Sequence, residues 1–197
     1  MKKILFLLVL VSSNLFAQEP EGFNNNKMFA GGSIVLGFAG GASSQFTIGG
    51  NPEIGYSLAK NFDIGLCFNT IYSSLRYYES GYDVKQNTFN YGVGIFSRLH
   101  FSDQIFVQLQ PEINWINYKV TADQNPNLTN EGKLNSTSFL VGLGYGTRNV
   151  GQMNFFTVLL VDLRKDLYSP YRSNTGDIVP IMRGGFNFYF GRKNKDK

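Results

Sequence analysis

The sequence predicts an all-β fold, an eight-stranded antiparallel up-and-down transmembrane β-barrel. Three observations lead to this prediction. Apolar and polar residues alternate along most of the chain, the connections between predicted strands alternate between short and long, and charged residues make up only 16% of the sequence. Because successive side chains of a strand point to opposite faces, each strand must separate an apolar medium from a polar one.

The stretch from Ile105 to Tyr118, IFVQLQPEINWINY, shows this alternation most clearly. One parity is apolar and contains Ile105, Val107, Leu109, Pro111, Ile113 and Trp115. The other parity is polar and contains Gln108, Gln110, Glu112 and Asn114. In a soluble sandwich the apolar side would be the core, whereas in a membrane barrel it would face lipid.

Eight strands follow from the same alternation, at roughly 28–39, 45–59, 62–76, 88–101, 105–119, 134–147, 153–165 and 177–190. The connections after the second, fourth and sixth strands are short, and those after the third, fifth and seventh are longer and polar. The first connection, GGASS, is an exception, a short loop on the long-loop side. Short turns at one end and long loops at the other are typical of bacterial outer-membrane barrels. Both termini then lie on the short-turn side, which is the periplasm.

Composition favours lipid outside the barrel. An ordinary soluble domain has about 25% charged residues, and here the polar parity is mostly Gly, Ser, Thr, Asn and Gln, which fit a narrow lumen. Aromatic residues of the apolar parity form two predicted girdles, Phe38, Phe46, Tyr72, Phe89 and Trp115 toward the long loops, and Tyr56, Phe101, Tyr145, Phe188 and Phe190 toward the turns. The alternative is a lipocalin-like or sandwich protein whose aromatics pack a core.

The ends of the chain predict export. Residues 1–17 have two lysines, a short apolar run and a final Ala17, the pattern of a secretory signal peptide, although a buried helix or a membrane anchor is the alternative. The barrel domain is then 18–190, followed by a short basic periplasmic tail, 191–197. The formal charge of +4 falls to +2 without Lys2 and Lys3, and the tail carries +3, so the barrel is nearly neutral. This argues against nucleic-acid binding.

Several charged residues fall on the inward parity. The sequence predicts a structural charge network in the lumen, because buried charges are normally paired. Its predicted members are Glu53, Arg98, Glu112, Asp162, Arg164 and Arg183. A proton or ion path through the same residues is the alternative.

Catalysis and metal binding are not expected. The one histidine, His100, lies next to a predicted periplasmic turn, and Ser97, three residues away, faces the other side. A serine nucleophile needs a base within hydrogen-bond reach. One histidine and one cysteine, Cys67, are too few for a nitrogen or sulfur metal site, and we expect no cofactor.

Three prolines share the apolar parity of their strands, Pro52, Pro111 and Pro180. Proline has no N–H to donate to a ladder, and a closed barrel has no edge strand to accommodate it. We therefore expect local bulges or interrupted pairing at these points.

Two hairpin segments carry a family resemblance, NPEIGYSLAKNFDIGL (Asn51 to Leu66) and FSRLHFSDQIFVQLQPEINW (Phe96 to Trp115). They resemble the small outer-membrane β-barrel domain proteins of Bacteroidota, relatives in fold of the OmpX, OmpW and OmpA barrels. The resemblance implies recognition of a terminal aromatic by the barrel-assembly machinery, and GGFNFYF ends in Phe190. It identifies an architecture rather than an activity.

Two functions remain open at this point. In the first, a monomeric barrel surrounded by outer-membrane lipid has a largely filled lumen and acts structurally or binds a surface partner through its extracellular loops. In the second, it is a small pore or conduit for apolar or small solutes. Eight strands leave little room for water, and Phe106, Ile116, Phe156, Val158 and Leu160 are predicted to point inward, which favours the first.

Overall fold

The computed structural model describes residues 27–39, 43–79, 82–122, 125–166, 168–172 and 178–190. The predicted signal peptide, 1–17, and the predicted tail, 191–197, lie outside the described residues. Within the described residues, no helix is long and apolar enough to cross a membrane.

Eight strands form a closed antiparallel barrel in which each strand pairs with its neighbours in the sequence and β8 closes the ring on β1. This confirms the predicted all-β, eight-stranded, up-and-down fold. The strands are β1 Lys27–Ala39, β2 Ser43–Ala59, β3 Phe62–Glu79, β4 Tyr82–His100, β5 Ile105–Ala122, β6 Asn125–Gly146, β7 Met153–Asp162 and β8 Ile181–Tyr189.

The barrel is polar inside and apolar outside. Along β5 buried and exposed side chains alternate from Ile105 to Ile116, with Gln108, Gln110, Glu112 and Asn114 buried and Leu109, Ile113 and Trp115 exposed. The expected inward residues are also buried, namely Phe106, Ile116, Phe156, Val158 and Leu160. The period-two pattern therefore predicted correctly that these side chains face the lumen.

The predicted aromatic girdles lie on the outer surface. Phe38 and Phe46 are in ring contact, as are Tyr91 and Trp115 at 5.7 Å between centroids. At the other end Phe188 contacts Phe190 at 5.4 Å. Nine of the ten predicted girdle residues are exposed, and Phe46 is intermediate.

The strands differ in length. The prediction that two segments form long loops was wrong. The polar segments after the predicted third and fifth strands are largely strand, since β3 reaches Glu79, β4 begins at Tyr82, and β6 begins at Asn125. Pairs such as Tyr77 with Val84 continue the ladder. Their polarity reflects exposure to water, which sequence patterns easily mistake for a loop.

The last two strands are shorter than expected. β7 ends at Asp162 rather than 165, and β8 begins at Ile181 rather than 177. The carboxylate of Asp162 accepts hydrogen bonds from the backbone N–H groups of Phe139 and Arg164, both at 2.9 Å. The chain therefore leaves the sheet at Asp162, because a side chain has taken the place of the next backbone acceptor.

The prolines interrupt pairing without shifting it. The pairing of β2 with β3 skips Asn51 and Pro52 and resumes at Glu53 in the same register. The pairing of β4 with β5 likewise omits Pro111 while β6 still pairs with it. The expected interruption is present, the expected bulges are not, and Pro180 lies outside β8.

Candidate functional site

A buried ion pair inside the barrel joins β4 to β2. Arg98 on β4 donates from Nη1 to Glu53 Oε1 at 2.7 Å and from Nη2 to Oε2 at 2.8 Å. Its guanidinium lies 4.5 Å from the ring centroid of Phe96 and 4.7 Å from that of Phe156. A bidentate pair held between aromatic faces is a strong, well-oriented contact that fills the space between the strands.

Alternate residues of β5 continue the hydrogen bonds of this pair along the strand as far as Glu112. Arg98 Nε donates to Gln108 Oε1 at 2.8 Å, and Gln108 donates to Gln110. Gln110 Nε2 then donates to Glu112 Oε1 at 2.5 Å. Because residues two apart share a face, the sequence pattern QLQPE places three hydrogen-bonding side chains in line along the lumen.

Glu112 belongs to a second cross-lumen cluster. Tyr171 donates its hydroxyl to Glu112 Oε2 at 2.8 Å and accepts from Arg183 Nη2 at 3.0 Å. Arg183 Nη2 also lies 3.6 Å from Glu112 Oε1. Strands β5 and β8 are therefore joined across the lumen through a tyrosine that belongs to neither strand.

Tyr171 comes from the segment between β7 and β8, of which the structure describes residues 163–166, 168–172 and 178–180; we call these described residues the inserted segment. Its Ser169 and Tyr171 are only 4% and 3% exposed. Ser169 Oγ donates to Asp162 Oδ2 at 2.6 Å and lies 3.1 Å from Ser138 Oγ. The sequence predicted an extracellular loop here, because YSPYR carries no strand or helix period that would mark it as buried.

Five of the six predicted network residues are buried, and one is exposed. Glu53, Arg98, Glu112, Asp162 and Arg183 are all buried. Arg164 was wrongly assigned to the lumen, since its side chain is exposed and its backbone N–H bonds to Asp162. The alternation that predicted its direction ends with β7, two residues earlier.

A third cluster, which the sequence did not predict, lies at the turn end. Asp63 accepts from Arg148 Nη2 at 2.6 Å and from the Tyr189 hydroxyl at 3.1 Å, and lies 3.1 Å from His100 Nε2. Arg148 comes from the turn after β6 and also bonds to the carbonyl of Lys60. The sequence gives one indication of this cluster, because Asp63 and His100 both have the inward parity and lie on neighbouring strands.

The three clusters place buried, hydrogen-bonded side chains from several strands inside the barrel. Each carries charges that are paired or hydrogen-bonded inside the wall, as buried charges require. Among the residues that the structure describes, no three His, Cys, Asp or Glu side chains are grouped as a metal site would need. The arrangement can stabilise a closed barrel.

Comparisons with known proteins give fold-level likenesses. No protein-family model and no curated protein matches the chain. The crystal structure of Ail, the attachment invasion locus protein of Yersinia pestis, aligns with a TM-score of 0.42 and 9% identity, over 84% of this chain and 94% of that one. The N-terminal β-barrel domain of Pseudomonas aeruginosa OprF aligns with a TM-score of 0.41 and 19% identity, over 85% of this chain and 100% of that one.

A third likeness is to the transport unit of the autotransporter AIDA-I from Escherichia coli. Its TM-score is 0.36 at 16% identity, over 87% of this chain and 63% of that chain. At these TM-scores and identities, function has to be argued from the residues of this chain.

Proposed function

We propose that this protein is a closed outer-membrane β-barrel that contributes structurally to the envelope and presents a β-sheet to a partner at the cell surface. One observation carries the proposal, namely an apolar exterior around a lumen crossed by paired charges. This inversion of a soluble protein's polarity suits lipid outside the barrel. Ring closure also satisfies the backbone of every strand without water, as a bilayer requires.

The proposed orientation places both termini and the short turns in the periplasm. Export by residues 1–17 and insertion by the barrel-assembly machinery precede this state. The closed ring pairs every strand with its neighbours, so the barrel needs no second copy and we propose a monomer. We propose that the protein is not an enzyme, needs no cofactor and does not bind nucleic acid.

The part that we propose to lie at the cell surface consists of the ends of β3 to β6 beyond the girdle residues Tyr72, Phe89 and Trp115. We call it the projecting sheet. β5 pairs with β6 as far as Asn125, but β7 pairs with β6 only as far as Leu140. Beyond Leu140 the described residues after β7 give β6 one more backbone hydrogen bond, from the Leu163 N–H to the Phe139 carbonyl at 3.0 Å, and no further strand pairing. An open strand edge accepts an extended segment of another protein by strand addition.

Two carboxylates, one at the end of β7 and one in the segment that follows it, mark where this edge begins. Asp162 Oδ1 accepts from Phe139 N–H at 2.9 Å, and Asp166 Oδ2 accepts from Thr137 N–H at 3.1 Å. Further along β6 lie Asn135, Lys133 and Glu131, which are exposed. Their position favours partner binding on the β6 side of the sheet.

The filled lumen weighs against the pore or conduit. Arg98 of the buried ion pair is opposite Asp63 across the β3–β4 ladder, and the Tyr171 cluster is reached at Glu112, four residues further along β5 than Gln108, the residue opposite Arg98. A solute would have to displace all three clusters. Steady single-channel currents from the purified barrel in a planar bilayer would contradict the closed barrel, and we expect none.

Membrane insertion is tested first by cell fractionation with heat-modifiable gel mobility. We expect the protein in the outer-membrane fraction, with a boiled and an unboiled form that migrate differently. A soluble protein with one mobility would refute the proposed function.

Orientation is tested by labelling introduced cysteines on intact cells with a membrane-impermeant maleimide. Glu131→Cys, on the projecting sheet, should be labelled, whereas Asp103→Cys, on the turn after β4, should be labelled only after lysis. Both positions are exposed, so they form a matched pair. The native Cys67 is buried and serves as the background. The reverse pattern would invert the proposed orientation.

A further inference from the structure

Basic residues follow the girdle aromatics at a constant spacing on three neighbouring strands. Arg76 lies four residues beyond Tyr72 on β3, Lys85 four residues from Phe89 on β4, and Lys119 four residues beyond Trp115 on β5. An even spacing keeps each cation on the face of its aromatic, so all three lie on the outer face. The residues between them on that face are polar, Ser74, Asn87 and Asn117.

The register brings these cations side by side. Arg76 is directly opposite Lys85 across the β3–β4 ladder. Asn87 is opposite Lys119, and Asn117 is opposite Lys133 of β6, which continues the row. We call Arg76, Lys85, Lys119 and Lys133 the basic band.

Few anions offset the band. Among the residues whose side chains the structure describes, Lys119 and Glu131 form a 3.9 Å pair in which both side chains are more than half exposed, and no carboxylate pairs with Arg76 or Lys85. Asp83 is on the same face two residues further from the girdle. Like charges directly opposite each other destabilise a sheet, and Arg76 and Lys85 are such a pair, so an anion bound beside them would relieve their repulsion.

We propose that the basic band binds the phosphate groups of anionic lipids in the leaflet that surrounds the projecting sheet. This proposal rests on the membrane orientation proposed above. Aromatic girdles mark the bilayer interface. Four residues of a strand span about 13 Å, or roughly 9 Å along the membrane normal at the tilt of a barrel strand.

That height places the backbone of the basic band at the outer limit of the headgroup layer, within reach of it for long side chains. The polar layer on each side of the hydrocarbon core is roughly 5 to 8 Å thick, and Lys and Arg side chains extend along an apolar surface to place their charge where it is solvated. A phosphate at this level can be shared by two cations on neighbouring strands. A neutral headgroup would leave the Arg76–Lys85 repulsion uncompensated.

The test uses the full barrel folded into nanodiscs of phosphatidylcholine, with and without a minor fraction of lipid A, a bis-phosphorylated glycolipid. The variant is Arg76→Gln/Lys85→Gln/Lys119→Gln. The control is Arg164→Gln/Lys165→Gln, which removes two exposed cations outside the basic band. Native mass spectrometry counts the lipid A molecules retained by each protein.

We expect the triple variant to bind lipid A roughly 100-fold more weakly, since one basic residue at an anionic surface contributes about fivefold. The control should bind as the wild type does. Equal retention by the wild type and the triple variant, both showing heat-modifiable mobility, would overturn the basic band while leaving the closed barrel intact. Failure of the wild type to insert would refute the proposed function instead.

A further arm separates lipid from free phosphate. Inorganic phosphate, added at the concentration of lipid phosphate, should not displace lipid A from the wild type. Displacement at that concentration would show a general anion surface and would overturn the assignment to a lipid headgroup. Because Trp115 is the only tryptophan of the chain and lies below Lys119, its emission reports whether lipid A reaches this strand.

Discussion

Two ion pairs, one in the lumen and one on the projecting sheet, show how differently the two regions use charge. Arg98 and Glu53 are 2.7 Å apart with side chains 3% and 5% exposed, whereas Lys119 and Glu131 are 3.9 Å apart with side chains 57% and 73% exposed. Removing one partner from the lumen leaves a charge without water, while removing one from the sheet leaves it hydrated. The lumen pair therefore supports the fold, and the sheet residues are free to contact other molecules.

Replacing Glu53 with Leu should have the largest effect. The uncompensated guanidinium of Arg98 should destabilise the barrel by about 3–5 kcal/mol, measured by urea unfolding of the refolded protein. The double change Glu53→Leu/Arg98→Met removes both charges and should recover part of this loss. A single variant as stable as the wild type would contradict the role of the pair.

Replacing Tyr171 with Phe should have a smaller effect. It removes the hydroxyl that donates to Glu112 and accepts from Arg183. We expect a loss of about 1–3 kcal/mol because buried partners remain unsatisfied, seen as a lower temperature for the gel-mobility transition. Tyr168→Phe, at a residue that is 59% exposed, should leave the transition unchanged. If both changes shifted the transition temperature equally, the buried hydrogen bonds of Tyr171 would be contradicted.

Acid should loosen the inserted segment where it meets β6. Partial burial raises the pKa of the Asp166 carboxyl, but hydrogen bonds from Thr137 N–H, Tyr168 N–H and the Ser136 hydroxyl, together with the charge of Arg164, lower it by more, so the net pKa is below the usual value. A lowered folded-state pKa gives stability that is present above the unfolded pKa and is lost as pH falls through the folded value.

Hydrogen exchange at the Thr137 amide measures this loss. After correction for the intrinsic rate, exchange should accelerate in acid, whereas the Gly146 amide, which bonds to the Gln104 carbonyl, should not respond. Asp166→Asn should abolish the dependence on pH. A Thr137 amide with the same protection at all pH values would exclude Asp166 as its acceptor.

Replacing Lys119 with Gln should have the smallest effect on stability. Exposed pairs contribute roughly 0–1 kcal/mol, so the unfolding midpoint in neutral phosphatidylcholine should match that of the wild type. A large loss would mean that the sheet carries stability as the lumen does, and the contrast between the two regions would fail.

The alternation of residues predicted the barrel and most of the lumen but not the contacts within it. Glu112 was assigned inward because it shares a parity with Gln108 and Gln110. Its partner Tyr171 is 59 residues away in a segment without a period, so no local pattern could connect them. Arg164 failed for the converse reason, because a period was extended past the end of its strand.

The sequence by itself determined, within the strands, which side chains face outward and which face the lumen, because a strand turns every second residue to the same face. It also determined the number of strands and the two girdles. Only the tertiary structure decided that β3 to β6 project, that Arg148 reaches Asp63, and that Tyr171 enters the lumen. These depend on which distant residues meet when the ring closes, and closure is a property of all eight strands together.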